Sequence, residues 1–202
     1  MKLKLSMTLL VGLPLLLALP LKAQNIDHLR QLIETKRCSS TCDLRSANLE
    51  NLNLRLAQLA GADLTGANLK NANLFAANLG KAKLRGATLA GADLSRADLS
   101  GVDLRNSNLE NVNLSGATLN RANLSGLDLR SVNLEGASLI GANLEKANLN
   151  GTRLDNARLE NAKMPDGFVK PSGSRSAQCS RIDGGGDLTG EGFRVRLGCD
   201  NL

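Results

Sequence analysis

The chain has 202 residues and a formal net charge of +6, with no Trp, no Tyr and only Phe75, Phe168 and Phe193 as aromatic side chains. A core of large aromatic residues is therefore excluded, and 20 Gly among long runs of Ala, Leu and Asn call for an interior of small repeated units. Lys2, Lys4 and Lys22 precede any acid, so the rest of the chain carries +3, too little to argue for a nucleic-acid partner.

Residues 1–23 have the order of a secretory signal peptide. Lys2 and Lys4 come first, an apolar stretch runs from Met7 to Leu21, and the small Ala23 stands before Gln24. Pro14 and Pro20 interrupt the stretch, which is shorter than the ~20 residues a membrane-crossing helix needs. Export to a periplasm, a thylakoid lumen or the extracellular space is expected, with no integral membrane segment after cleavage. Residues 24–41 follow as an N-terminal capping helix and junction, with Ile26, Leu29, Leu32 and Ile33 on one apolar stripe between Ile26 and Arg37.

From Leu44 to Leu159 a Leu stands at every fifth position, 24 in all, and Met164 takes the next place. Neither a 3.6-residue helix nor a two-residue strand period accounts for this. Two residues before these 25 centres, 17 side chains are Ala; the others are Cys42, Leu52, Val102, Ser107, Val112, Leu127, Val132 and Thr152. Two positions in five therefore face inward. The residue before each Leu is usually Asn or Asp, and two places after it 16 of 24 are Gly or Asn, which tolerate the positive φ of a type II turn.

Units such as Ala67-Asn68-Leu69 and Ala92-Asp93-Leu94 resemble the pentapeptide-repeat family, whose unit is A-(D/N)-L-x-x, and the match runs over residues 42–164. The resemblance implies an all-β fold: a right-handed quadrilateral β-helix, four units to a turn, with residues 20 apart stacked at the ~4.8 Å strand spacing. About six coils would make a regular rod roughly 29 Å long. Charged columns would then run along its sides, one with Asp43, Asp63, Lys83 and Asp103, another with Glu50, Lys70, Ala90, Glu110, Arg130 and Asn150. Asn48, Asn68, Asn108 and Asn148 would suit an Asn ladder.

Residues 165–202 form the C-terminal cap or tail. Pro165 breaks the register, Phe168 and Val169 offer apolar cover, and Phe193, Val195 and Leu197 alternate as a strand would. In an exported chain the four cysteines suggest disulfides, and of three connectivities the local pairs Cys38–Cys42 and Cys179–Cys199 are favoured because the solenoid separates its ends. A redox or metal site at Cys38 and Cys42 lacks the usual two-residue spacing.

Chemistry is sparse. His28 is the single His and lies before the repeat, where it reads as a surface residue, so no Ser/His/Asp or Cys/His site can be built on the solenoid. Outward acids on a flat side form a ladder with basic neighbours rather than a catalytic pocket. Lys81, Lys83 and Arg85 fall within one coil with Arg105 one coil on and Lys70 and Arg96 nearby, a basic patch for an anionic surface or partner. No cofactor, metal or catalytic residue is expected, and base-stacking aromatics are missing. The family's acidic DNA mimics do not fit a repeat with this charge balance. The expected function is a non-enzymatic interaction or structural scaffold, a monomer or weak homodimer, contacting an unknown protein or the envelope surface. The alternative is an envelope glycan-acting or redox-active protein, the first resting on Asp63 and Asp103.

Overall fold

The computed structural model describes residues 23–38 and 42–170. The leader expected before Ala23, the tail beyond Lys170 and the pair Cys179 and Cys199 lie outside the described residues. Inside them, all 24 central Leu side chains are at most 3% exposed and Met164 is 5% exposed. The smaller residues two places earlier line the same interior, apart from the half-buried Leu52 and Ser107. A core built almost wholly of Leu and Ala, with a few Val and Cys38, Cys42, Thr152 and Met164 besides, keeps the rod narrow, since every side chain must reach across to its opposite number.

Parallel bridges join residues 20 apart, as in Asp43 to Asp63 and Asn53 to Asn73. With a five-residue unit this makes four sides to a coil; we number them from the sides holding Leu44, Leu49, Leu54 and Leu59. Each side contributes a single bridging residue, because the corner that follows turns the chain away before a continuous strand can form. The ladder is regular all the same: Leu44 N–H donates to the Asp63 carbonyl at 2.8 Å and Asp63 N–H to the Cys42 carbonyl at 2.9 Å.

Corners explain the other three positions. The N–H two places before each Leu bonds back to the preceding Leu carbonyl, as from Ala47 to Leu44 at 3.0 Å. The intervening residue holds positive φ at 23 of 24 corners, the geometry of a type II turn. Thirteen of these are not Gly, and the seven of them that are not Asn either, Leu56 at 59° and Lys81 at 58° included, carry a left-handed strain that the ladder overrides. The outward Asn or Asp acts locally, and at 17 corners its side-chain oxygen accepts the N–H two residues on, as Asn48 does from Glu50 at 3.2 Å. Of the expected Asn ladder one step forms among the described residues, Asn68 bonded to Asn48 at 3.1 Å; a comparable bond, Asn133 to Asn113 at 3.3 Å, lies on the third side instead.

One place departs from this order. Among the described residues every neighbouring pair in the four bridging columns is joined except Asn108 and Asp128, on the second side. The inward column there reads Ala47, Ala67, Ala87, Ser107, Leu127, Ala147, and Leu127 is 5% exposed, so a full Leu has been fitted where its column mates are Ala or Ser. Overpacking of this kind is relieved by backbone movement. Ser131, at the corner after Leu129, is also the one corner residue without positive φ, and its hydroxyl accepts the Asn111 N–H at 2.9 Å in place of the usual carbonyl.

Helix α1 spans Ala23–Thr35 and packs on the first coil. Leu32 is fully buried and Leu29 packs against the core, while Ile26 is 48% exposed, so the expected stripe is narrower than its four residues. The helix stops short of Arg37: Lys36 takes φ of 56° and donates its N–H to the Leu32 carbonyl, and Arg37 then bridges Gln58. At the other end, Pro165 and Gly167 reverse the chain and Val169 bridges Lys163 in antiparallel fashion. The cover expected of Phe168 and Val169 comes from their backbone, since their side chains are 63% and 51% exposed.

Candidate functional site

The first side carries more charged residues than any other, 10 of the 26 between residues 42 and 164. Arg45 grips Asp43 through two bonds of 2.9 and 2.7 Å, and Arg105 holds Asp103 with the same distances. Lys83 reaches back one coil to Asp63 at 3.3 Å. The Arg45 fork, set against a smaller opposing effect of burial, holds the Asp43 carboxyl down to about 2. Arg105 likewise lowers Asp103, whereas at Asp63 burial acts upward and is outweighed by bonds from Thr65 and Lys83.

These pairings redraw the basic patch. Lys83 and Arg105 are neutralised by their carboxylates, while Lys81 and Arg85 make no ion pair among the described residues. Lys81 sits at the corner between the fourth and first sides, its stem 3.7 Å from where a Cβ on Gly101 would lie, so it leans along the rod axis. The neighbours expected for the patch are elsewhere: Lys70 belongs to the second side, and Arg96 closes the third, 5.8 Å from the Phe75 ring centre. Arg55 stacks closer on the same ring, at 4.3 Å, and Leu56 beside it is 61% exposed. That cationic-aromatic corner could have been anticipated from Arg55 and Phe75 being 20 residues apart.

Neither catalytic alternative finds its geometry. A general acid needs a raised pKa, and Asp63 and Asp103 are both lowered, two coils apart with Lys83 between them. Cys38 and Cys42 are joined as a disulfide with Cα atoms 5.4 Å apart, and at 1% and 3% exposure they offer no thiol to solvent. His28, expected at the surface, is half-buried and its Nδ1 accepts the Asp43 N–H at 3.1 Å, which leaves that nitrogen unavailable to a metal. Among the described residues no helix is long and apolar enough to cross a membrane.

The second side holds a cleft of about 220 Å³ lined by Asn108, Glu110, Asp128, Arg130 and Ser131, at the missing bridge. The stacked pair expected of Glu110 and Arg130 does not form. Arg130 turns instead to Asp128 in its own coil, at 2.6 Å, and Glu110 makes no ion pair among the described residues.

A family model described as pentapeptide repeats matches the chain in 8 copies over residues 42–74, 72–111, 97–136 and 128–164. No curated protein matches. Among solved structures the chain is similar to HetL, a pentapeptide repeat protein involved in heterocyst differentiation regulation from the cyanobacterium Nostoc sp. strain PCC 7120. The two are 37% identical over 66% of this chain and 63% of HetL, less than two thirds of its length, with a TM-score of 0.43. It is also similar to the pentapeptide repeat protein Rfr23 from the cyanobacterium Cyanothece 51142, at 31% identity over 72% of this chain and 98% of that one and a TM-score of 0.28. A pentapeptide repeat protein from the Arabidopsis thaliana thylakoid lumen is 27% identical over 60% of this chain and 71% of its own, with a TM-score of 0.20.

Proposed function

The chain belongs to the pentapeptide-repeat family, and from that footing we propose that it is an exported, non-enzymatic scaffold whose rigid sides present fixed side chains to a protein partner or an envelope surface. In this reading residues 1–23 are a signal peptide, α1 with residues 24–41 caps the stack, residues 42–164 are the solenoid, wound right-handed as in the family, and residues 165–202 cap the far end. The periplasm or thylakoid lumen is its place, where the Cys38–Cys42 disulfide is kept oxidised.

The observation that carries the reading is the unbroken inward register: with every central Leu at most 3% exposed, the backbone positions that bear the outward side chains stand in columns of constant spacing. Such a surface suits recognition by charge pattern, and the first side supplies it through Lys81 and Arg85, the members of the patch that make no ion pair among the described residues, although Arg85 lies close enough to Asp103 to help lower its carboxyl. The test is crosslinking of the exported protein in its own cell, comparing wild type with Lys81→Glu/Arg85→Glu. Loss of a specific crosslinked band supports the basic corner as the contact. An unchanged pattern with the folded variant would remove that corner from the interface.

A further inference from the structure

The opened contact on the second side has the makings of a binding site, on a face other than the basic corner. Three features meet there. The bridge between Asn108 and Asp128 is missing, Ser131 leaves the left-handed conformation kept by the other 23 corners, and a cleft of about 220 Å³ opens between the two coils. At ~30 Å³ per molecule that is room for roughly seven waters, far more than the gap between bonded coils admits.

The walls decide what would enter. The N–H groups of Leu109 and Asp128 find no acceptor among the described residues, where Leu89 and Asn148 in the equivalent places bond at 2.8 Å. By the same token the Ser107 and Asp128 carbonyls receive no N–H from across the gap. Arg130 is spent on Asp128 through bonds of 2.9, 3.2 and 2.6 Å, so that pair is neutral and the charge left over is the Glu110 carboxylate. Glu110 has no ion pair to give up, and the column position before it is the uncharged Ala90. The two unpaired N–H groups and the two unpaired carbonyls offset each other, so the Glu110 carboxylate sets the sign, and a net negative cleft matches a cation that brings its own N–H donors.

We propose that this cleft binds a primary ammonium group. Its three N–H donors have acceptors in the walls: the Glu110 carboxylate, the Asp128 carbonyl, and the Asn108 side-chain oxygen, whose other lone pair takes the Glu110 N–H at 2.9 Å. A free alkyl diamine and a lysine side chain of a partner protein carry the same group. Leu127 builds the site by holding the coils apart, which gives a large inward residue at that position a role beyond filling space.

The test is an NMR titration of the full chain with 1,4-diaminobutane, with a short lysine-containing peptide, and with tetramethylammonium, which has charge but no N–H. The expected result is saturable movement of the Leu109, Asn111 and Asp128 amides with the two amines, at least tenfold weaker in Glu110→Gln and absent with tetramethylammonium. Tighter binding of the peptide than of the diamine assigns the site to a protein partner, and the reverse to a small amine. Leu127→Ala, which lets Asn108 and Asp128 bridge, should raise hydrogen-exchange protection at Leu109 and Asp128 and abolish binding. The proposal is overturned by non-saturating shifts, by equal affinity in Glu110→Gln, by an equal response to tetramethylammonium, or by full binding in a Leu127→Ala protein whose ladder has closed.

Discussion

His28 Nδ1 accepts the backbone N–H of Asp43 at 3.1 Å, so a side chain of α1 closes an amide at the open start of the coil stack. Every later amide in that column has a coil before it to supply a carbonyl; Asp43 has only the helix. His28→Ala should therefore lower the unfolding free energy by about 1 kcal/mol, the usual worth of such a bond where water can partly replace it. Urea denaturation followed by far-UV circular dichroism would show this, and an unchanged midpoint would mean that the helix contributes cover but no bond.

The paired carboxylates of the first and second sides should make stability depend on acid. Asp43 is lowered to about 2 by Arg45, and Asp63, Asp103 and Asp128 are lowered as well. A depressed carboxyl stabilises the fold fully above its unfolded value near ~3.9 and loses that contribution as pH falls through the folded value. The melting temperature should stay flat from neutral pH to about 5 and fall below about 4. Asp43→Asn keeps the oxygen that accepts the Arg45 N–H but loses the charge, so it should shrink the acid limb by lowering stability at neutral pH while leaving stability at low pH little changed.

Two glycines separate backbone strain from side-chain crowding. Gly86 and Gly91 have φ of 69° and 70°; a Cβ on Gly86 would meet nothing within 4 Å, whereas one on Gly91 would run into the Asn71 carboxamide. Gly86→Ala should cost about 1 kcal/mol, the left-handed penalty alone. Gly91→Ala should cost more, because Asn71 must move and give up its 3.2 Å bond to Asn51. Equal losses in thermal melts would show that Asn71 swings aside freely. By the same reasoning Leu56→Asn, at a 61% exposed corner with φ of 59°, should stabilise the protein.

What could be read from the sequence divides along these lines. The Leu at every fifth place and the small residue two before it are inward by period alone, because no other winding buries them all, and the structure places them there. The corners were legible from Gly61, Gly66 or Asn71, yet Leu56 and Lys81 are held in the same conformation by a ladder that overrides their own preference. The outward Asn and Asp residues read as ladders between coils because they repeat at 20, whereas a carbonyl-sized oxygen two residues from a corner N–H is closer than any neighbouring coil. The cleft was the hardest: Leu127 is visible as a departure from Ala, but the sequence does not say whether the strain will go into the core or push the second side open. His28 was illegible because its partner is a backbone amide, which has no signature in a sequence.

The Cys38–Cys42 disulfide ties the end of the α1 segment to the first coil across a very short loop. Chain-entropy reasoning gives such a loop about 2 kcal/mol, a modest share because few unfolded conformations are removed. Reduction, or Cys38→Ser with Cys42→Ser, should therefore loosen α1 while leaving the central coils intact. Hydrogen exchange should quicken at Asp43 and Gln58, which bond to α1 and to Lys36, and stay slow at Leu94. Uniform acceleration along the rod would show instead that the stack unfolds as one unit from its first coil.

Thr152 tests the one hydroxyl buried to 1% in the Ala position. Its Oγ1 donates to the Leu129 carbonyl at 2.8 Å, and that carbonyl also receives the Val132 N–H at 3.0 Å. Thr152→Val keeps the shape and removes the donor, but Leu129 keeps one bond, so no buried acceptor is left bare. The loss should sit at the low end of the range for a hydrogen bond, about 0.5 kcal/mol. Thr152→Ala should cost more than Thr152→Val, because it adds a methyl-sized void beside Leu129 to the same lost bond. If the two variants melt together, packing at this end of the stack closes around the missing atoms, and the last coil is more plastic than the Leu-lined coils before it.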